Sequence, residues 1–209
     1  MSFSRRRKKS ASGSEILTTY SSEDYNSNDG MLTTVWGPGM WHFLHTTSFN
    51  YPVTPTEKQK RDYRNFVLSL RDVLPCGKCR KNLRKNLQKL PITMRHMKSR
   101  DSFSRYMYDL HEHVNKMLNK NSGLTFEQVR ERYEHFRARC VKDHAKSGRK
   151  KPVVFAKTVR RRRKEKGCTE PLYGEKSKCV LKIVPQTEKC ETLQIDNKCV
   201  KKRIIIPSQ

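Results

Sequence analysis

Large apolar and aromatic residues return every three or four positions from Val35 to Cys140, whereas the flanking stretches are polar and basic. That spacing is one face of a helix, and it predicts five of them. The first runs from Pro38 to Thr47, with Trp41, Leu44 and His45 close to one face. The second starts with Thr54 as N-cap, Pro55 at the first helical position and Glu57 closing a capping box. Its core stripe is Tyr63, Phe66, Val67, Leu70 and Leu74, and Pro75 ends it. The third begins at Cys76, buries Leu83, Leu87 and Leu90, and stops at Pro91. A fourth, from Ser102 to Leu118 and capped by Asp101, turns Phe103, Met107, Leu110, Val114 and Leu118 inward. The fifth opens with a capping box from Thr125 to Gln128 and carries Phe126, Val129, Tyr133, Phe136 and Cys140. No stretch between 36 and 140 alternates as a strand does. The expected fold is all-α, four helices in a bundle with the fifth packed across it.

This pattern divides the chain into a Ser-rich and basic segment 1–34, a helical domain 35–141 and a basic, cysteine-containing tail 142–209. Both ends offer too little apolar surface to offset chain entropy and read as largely disordered. Within the tail, Val180 to Val184 has the composition of a short strand. Cysteines recur there at 168, 179, 190 and 199, three of them after a lysine.

Charge changes the picture next. The net charge is +26, and it is carried by both regions: 21 Lys/Arg against 9 Asp/Glu over 36–140, and 20 against 7 over 141–209. Such a field attracts polyanions, so the basic tails are candidates for nucleic-acid binding, although a solvated basic surface has the same composition. No run of eighteen apolar residues exists to span a bilayer. The N-terminus lacks the apolar core of a secretory signal. A cytosol-like compartment is expected, where paired cysteines tend to be catalytic or metal-binding.

The sharpest local feature is Pro75-Cys76-Gly77-Lys78-Cys79-Arg80. Two thiols three positions apart at a helix start can close into a disulfide, and the helix N-terminus, Lys78 and Arg80 all favour a thiolate there. The other reading is half of a zinc site, which requires two further Cys or His ligands. No second CxxC is present. A thioredoxin-like setting requires a strand before the motif, and Leu70 to Leu74 precede it in helical register. A disulfide made from substrate thiols also leaves two electrons, which need a cofactor or a second redox pair.

Two further motifs stand in register with the cysteine pair. One is Trp36-Gly37-Pro38 leading to Trp41-x-x-x-His45; the other is His111-x-x-Val114-Asn115-x-x-Leu118-x-Lys120. In this order and spacing, over roughly residues 36–140, the chain closely resembles the Erv/ALR family of flavin-linked sulfhydryl oxidases. Trp36-Gly37-Pro38 is most similar to members encoded by large DNA viruses. The resemblance implies FAD held among the helices, usually in a homodimer. Carried over by position, Gly37, Trp41, His45 and Tyr51 line the flavin side. His111, Val114, Asn115, Leu118 and Lys120 hold the adenine and phosphates, with Arg132 and Tyr133 closing the adenine pocket. Cys79 faces the flavin and Cys76 the substrate. The implied activity is thiol oxidation of protein substrates, with electrons passing through FAD to dioxygen to give peroxide. The implied setting is a viral factory in host cytoplasm, or the virion.

The chain departs from the family at several positions. Glu112 stands where Asn is frequent, Tyr133 where Trp is common, and Thr33 where a basic residue is often found. Cys140 matches one end of a disulfide that staples the fifth helix in some relatives, but its expected partner falls near Leu124. Family members commonly use a second cysteine pair as a shuttle, and here only the tail cysteines are available for that role; the alternative is a separate small module, held by disulfides or zinc, that binds nucleic acid through its lysines. The rival functions are a basic, zinc-stapled nucleic-acid-binding protein and a structural virion protein that keeps the oxidase shape.

Overall fold

The computed structural model describes residues 21–139, 168–188, 190–191 and 193–201. The basic runs at 5–9 and 160–164, Cys140 and Ile204 to Ile206 lie outside these. Two units divide the chain, Met1–Gly30 and Met31–Gln209. Described residues of the first hold one helical turn, α1 (Ser22–Tyr25), closed by a Ser21/Asp24 capping box. The second holds α2 (Thr33–Phe49), α3 (Glu57–Val73), α4 (Gly77–Lys89), α5 (Arg100–Met117) and α6 (Phe126–Glu134). After these come β1 (Ala138–Arg139), β2 (Glu170–Pro171) and a 3-10 turn, Asn197–Cys199.

The all-α expectation holds. α2 packs along α5, α3 along α4, and α6 crosses α2. The main core joins Leu44, Tyr51, Val67, Leu70, Leu83, Leu87, Met97, Phe103, Met107 and Leu110. Burying one such side chain contributes about 1.5–3 kcal/mol. A second, smaller core of Phe49, Phe126 and Val129 fixes α6 to the end of α2.

Several boundaries differ from the sequence expectation. α2 begins at Thr33 and runs through Pro38; in the second turn proline forgoes only the bond to the carbonyl of Thr34, and Trp36 anchors the added turn by donating Nε1–H to the Met31 carbonyl at 3.1 Å. α3 is capped by Thr56, because Thr56 and Gln59 form a reciprocal capping box one turn-fragment after the expected one. α5 is capped by Ser99 with Ser102 rather than by Asp101. α6 stops at Glu134, so Phe136 lies beyond it, and Leu118 is half exposed rather than inward. The strand expected at 180–184 does not form: Val180, Leu181 and Ile183 are all about two-thirds exposed or more, with no neighbouring strand among the described residues.

A strand does form elsewhere in the tail. β2 pairs antiparallel with β1, Ala138 opposite Pro171 and Arg139 opposite Glu170. The Leu172 N–H donates to the Arg137 carbonyl at 2.7 Å, and the Lys201 N–H to His135 Nδ1 at 3.0 Å. Arg137 in turn reaches the Glu134 carboxylate at 2.6 Å and the Phe49 carbonyl at 2.7 Å. Part of the tail is thereby fastened to the end of α6.

Candidate active site

Pro75 ends the α3 connection and leaves Cys76 as the N-cap of α4, extended at φ −152°. Its Sγ accepts the Cys79 N–H at 3.2 Å, and the two cysteines form a disulfide, Cα to Cα 5.1 Å. The segment before it is held from both sides. The Met31 N–H donates to the Pro75 carbonyl at 2.9 Å, and the Arg80 guanidinium donates to the Leu74 carbonyl. α4 carries Lys78, Arg80, Lys81, Arg84, Lys85 and Lys89 and no carboxylate. Of these, Lys78 and Arg80 lie beside the pair in the first turn and, together with the helix N-terminus, stabilise a thiolate when the disulfide is reduced.

The second element is a cluster of rings where α2, α5 and α6 meet. Trp41 stacks on His111 with centroids 3.9 Å apart. His45 Nε2 lies 2.9 Å from His111 Nδ1, in hydrogen-bond contact. Tyr133 stacks on Phe49 and meets His42 through its hydroxyl at 3.3 Å from Nδ1. Burial dominates the electrostatics. It pushes His45 down to about 3, aided by the nearby His111 and His42, and His111 down to about 4. It raises Tyr133 to about 12. At neutral pH the cluster is uncharged, a set of flat faces with imidazole donors and acceptors. His45 Nδ1 is buried with no hydrogen-bond partner.

One row of α2 connects the two elements. Thr33, Gly37, Trp41 and His45 are spaced four apart, hence on adjoining turns of nearly one face. At one end, Thr33 Oγ1 lies 3.7 Å from Cys79 Sγ; at the other, Trp41 and His45 touch His111. Along the helix axis Trp41 is about 12 Å from Thr33, and His45 about 18 Å. Gly37 is buried in the middle of the row, and a Cβ there would meet only Thr33 Cγ2, at 3.6 Å.

Other expected residues are distributed unevenly. Asn115, half-buried on α5, donates Nδ2–H to Glu112 at 3.0 Å, so the departure at Glu112 engages the amide directly. Asn119 takes a left-handed φ of 53°, and the Lys120 N–H returns to the Asn115 carbonyl at 2.8 Å. Val114 and Arg132 are half-buried, while Leu118 and Lys120 are exposed. Tyr51 is not part of the ring cluster. It is fully buried, edge-on to Tyr63 and Phe103, with its hydroxyl donated to the Met97 carbonyl at 3.0 Å. Thr33, His42 and Phe49 were not singled out by sequence as site residues. His42 lies three before His45 and Phe49 four after it, so the helical period carried the signal.

A cavity of about 420 Å³ between α3 and α4 is lined by Arg64, Arg71 and Arg84, among others, and by no member of the ring cluster. Among the described residues no group of three or more His, Cys, Asp or Glu stands together as a metal site, and no helix is long and apolar enough to cross a membrane. Cys168 is engaged in a disulfide, while Cys179, Cys190 and Cys199 are free thiols.

Residues 38–134 match the sequence pattern of the Erv1 / Alr family. A probable FAD-linked sulfhydryl oxidase of Acanthamoeba polyphaga mimivirus is 39% identical over 99 residues, 47% of this chain and 68% of that protein. The FAD-linked sulfhydryl oxidase of African swine fever virus is 33% identical over 85 residues, 41% of this chain and 69% of that protein. The mitochondrial FAD-linked sulfhydryl oxidase of Saccharomyces cerevisiae is 31% identical over 84 residues, 40% of this chain and 43% of that protein. With the disulfide, the Trp41–His45 turn and the His111–Asn115 turn all inside the matched segment, the chain belongs to the Erv1/Alr family.

Proposed function

We propose that the protein is an FAD-linked thiol oxidase that makes disulfides in protein substrates, with dioxygen as final electron acceptor and peroxide as product. The observation that carries this is the row on α2 that joins an oxidised Cys76–Cys79 pair to the neutral ring cluster.

The exchange balances as follows. A substrate thiolate attacks Cys76 Sγ, the Cys76–Cys79 bond breaks, and Cys79 leaves as a thiolate. A second substrate thiolate then attacks the mixed disulfide at the substrate sulfur, forming the product disulfide and releasing Cys76. Two electrons now reside on the reduced pair. The α4 N-terminus, Lys78 and the Thr33 hydroxyl hold Cys79 as a thiolate, the form that passes electrons on. FAD, when bound, supplies the two-electron acceptor that dioxygen regenerates. The residues present fit it: His45 Nδ1 is an orphaned buried polar atom, and Trp41, His111 and Tyr133 offer flat faces for a heteroaromatic ring system. Gly37, Trp41 and His45 would hold its flavin side. His111, Asn115, Lys120 and Tyr133 would hold its adenine side.

A homodimer is part of the same reading. It is supported by Phe43, 54% exposed on α2 and edge-on to Phe66 of α3, an aromatic side chain that a second copy would cover. Action in a viral factory or virion, with nucleic acid near the basic tails, is the setting that fits the viral relatives and the +26 charge.

The test is an absorbance spectrum followed by turnover. The purified protein should be yellow and release FAD, and it should consume oxygen when given a dithiol. Cys76→Ser and Cys79→Ser should each abolish turnover while keeping flavin. A colourless, zinc-containing protein would favour the zinc-stapled rival instead.

A further inference from the structure

Six cations and no carboxylate occupy the thirteen residues of α4, and they fall into two groups. The arginines serve the fold: Arg84 pairs with Asp72 at 2.6 Å, and Arg80 caps the Leu74 carbonyl. The four lysines do not. Lys78, Lys81, Lys85 and Lys89 are spaced three, four and four, which places them on one face, opposite the buried Leu83 and Leu87. All four are exposed. Among the described residues none of them lies within ion-pair distance of a carboxylate. Like charges at these spacings repel one another and destabilise the helix. The stripe is about 17 Å long. It starts in the first turn after Cys76, the sulfur that receives the substrate.

Beside the stripe, α4 and α5 enclose a cleft of about 270 Å³, lined by Lys85, Lys89, Asn86, His113, Lys116 and Met117 among others. It adds a further cation from the facing helix, Lys116, the side-chain amides of Asn82 and Asn86, which can bond a peptide backbone, and one apolar side chain, Met117.

We propose that this lysine stripe and its cleft form a docking surface for an acidic polypeptide segment adjoining the substrate's reactive cysteine. The proposal rests on the thiol-oxidase reading and names the substrate class of that same site. Chemistry and position agree. A cysteine flanked by carboxylates is a poor nucleophile, because neighbouring negative charge disfavours its thiolate. Bringing that segment against Lys78 and Lys81 reverses the effect at the moment of attack on Cys76. A polypeptide suits the surface better than a single-stranded nucleic acid, which needs aromatic faces on which to stack its bases; α4 has none.

The experiment compares two reduced peptides with the same Cys-x-x-Cys centre, one flanked by glutamates and one by lysines. The full flavin-loaded chain oxidises each, followed by oxygen uptake. At low salt the acidic peptide should show a kcat/KM about tenfold or more above the basic one, and about 0.5 M salt should erase most of that advantage. A triple variant, K81E/K85E/K89E, should invert the preference, and K81R/K85R/K89R should keep it. Both variants should retain flavin and oxidise dithiothreitol at the parental rate. Equal rates for the two peptides at low salt, with dithiothreitol still oxidised, would overturn the docking surface alone. Failure of the parental protein to oxidise dithiothreitol would overturn the oxidase reading beneath it. If the glutamate variant instead lost affinity for a DNA oligonucleotide and kept its peptide preference, the stripe would be a nucleic-acid site and the proposal would fall.

Discussion

Trp41 and His111 lie face to face, 3.9 Å between centroids and 7° from parallel, although they sit on different helices. His45, one turn after Trp41, reaches the same imidazole at 2.9 Å. One histidine of α5 is thus gripped twice by α2, once through its face and once through Nδ1. Both histidines are too buried to carry charge near neutrality.

Acid should destabilise the domain through this pair. Their folded values, about 3 and about 4, lie below the ordinary 6.5. Below pH 6.5 the unfolded chain therefore binds protons that the folded chain refuses. The contribution is complete above pH 6.5 and is lost as pH falls towards 4, at about 2 kcal/mol for each fully neutral histidine by pH 5. Melting temperature measured from pH 7.5 to 5 should fall steeply in the parental protein and less steeply in His111→Asn. Parallel curves for the two would show that the pair does not titrate in this way.

Thr33 should tune the redox pair without holding the cofactor. Its hydroxyl is 3.7 Å from Cys79 Sγ and donates to the thiolate once the disulfide is reduced. Thr33→Val removes that donor, so the acidic limb of the pH–rate profile for dithiol oxidation should move up by roughly half a unit to one unit. Flavin content should stay constant, and Thr33→Ser should restore the parental profile. Superimposable profiles would rule the hydrogen bond out of the reaction.

Much of this site was legible in the sequence because helical period and motif spacing are local. The Trp41–His45 and His111–Asn115 turns, and the cysteine pair at a helix start, are each contained in a few residues. What the sequence concealed depends on distant partners. Tyr51 has the composition of a ring-cluster residue, yet Met97 and Phe103 claim it for the core. Thr56 outcompetes Thr54 because two capping boxes overlap, and only three-dimensional closure selects one. Val180 to Val184 looks like a strand but has no neighbour to pair with, whereas Glu170–Pro171, with no strand signal, is recruited by the edge at Ala138.

Gly174 should control how firmly the tail is fastened. It has a left-handed φ of +65°, and a Cβ there would lie 2.6 Å from the Lys198 carbonyl oxygen and 2.8 Å from the carbonyl carbon of Cys199. Backbone groups cannot step aside as a flexible side chain can. Gly174→Ala costs about 1–2 kcal/mol for the conformation alone, before the clash. Half-buried Cys199 should then react with a thiol reagent about tenfold faster, while the exposed Cys179 and Cys190 react at unchanged rates. Unaltered Cys199 reactivity would mean that the close approach at Gly174 does not hold the tail.

His42 and His113 both fall outside the family motif positions, and by sequence both should tolerate replacement. The structure separates them. His42 Nδ1 is 3.3 Å from the Tyr133 hydroxyl, and its ring meets Tyr133 and Phe136. It therefore positions the residue expected to close the adenine side. His113 lines the cleft between α4 and α5 and touches none of the rings. His42→Ala should lower flavin content and melting temperature together, since a ligand that binds only the folded state stabilises it by mass action. Adding excess FAD should recover part of the lost melting temperature, which a purely structural defect would not allow. His42→Asn, which keeps a polar group within reach of Tyr133, should lie between the two. His113→Ala should leave flavin content and melting temperature at parental values. Equal losses in His42→Ala and His113→Ala would place both histidines in general packing and remove His42 from the cofactor side of the domain.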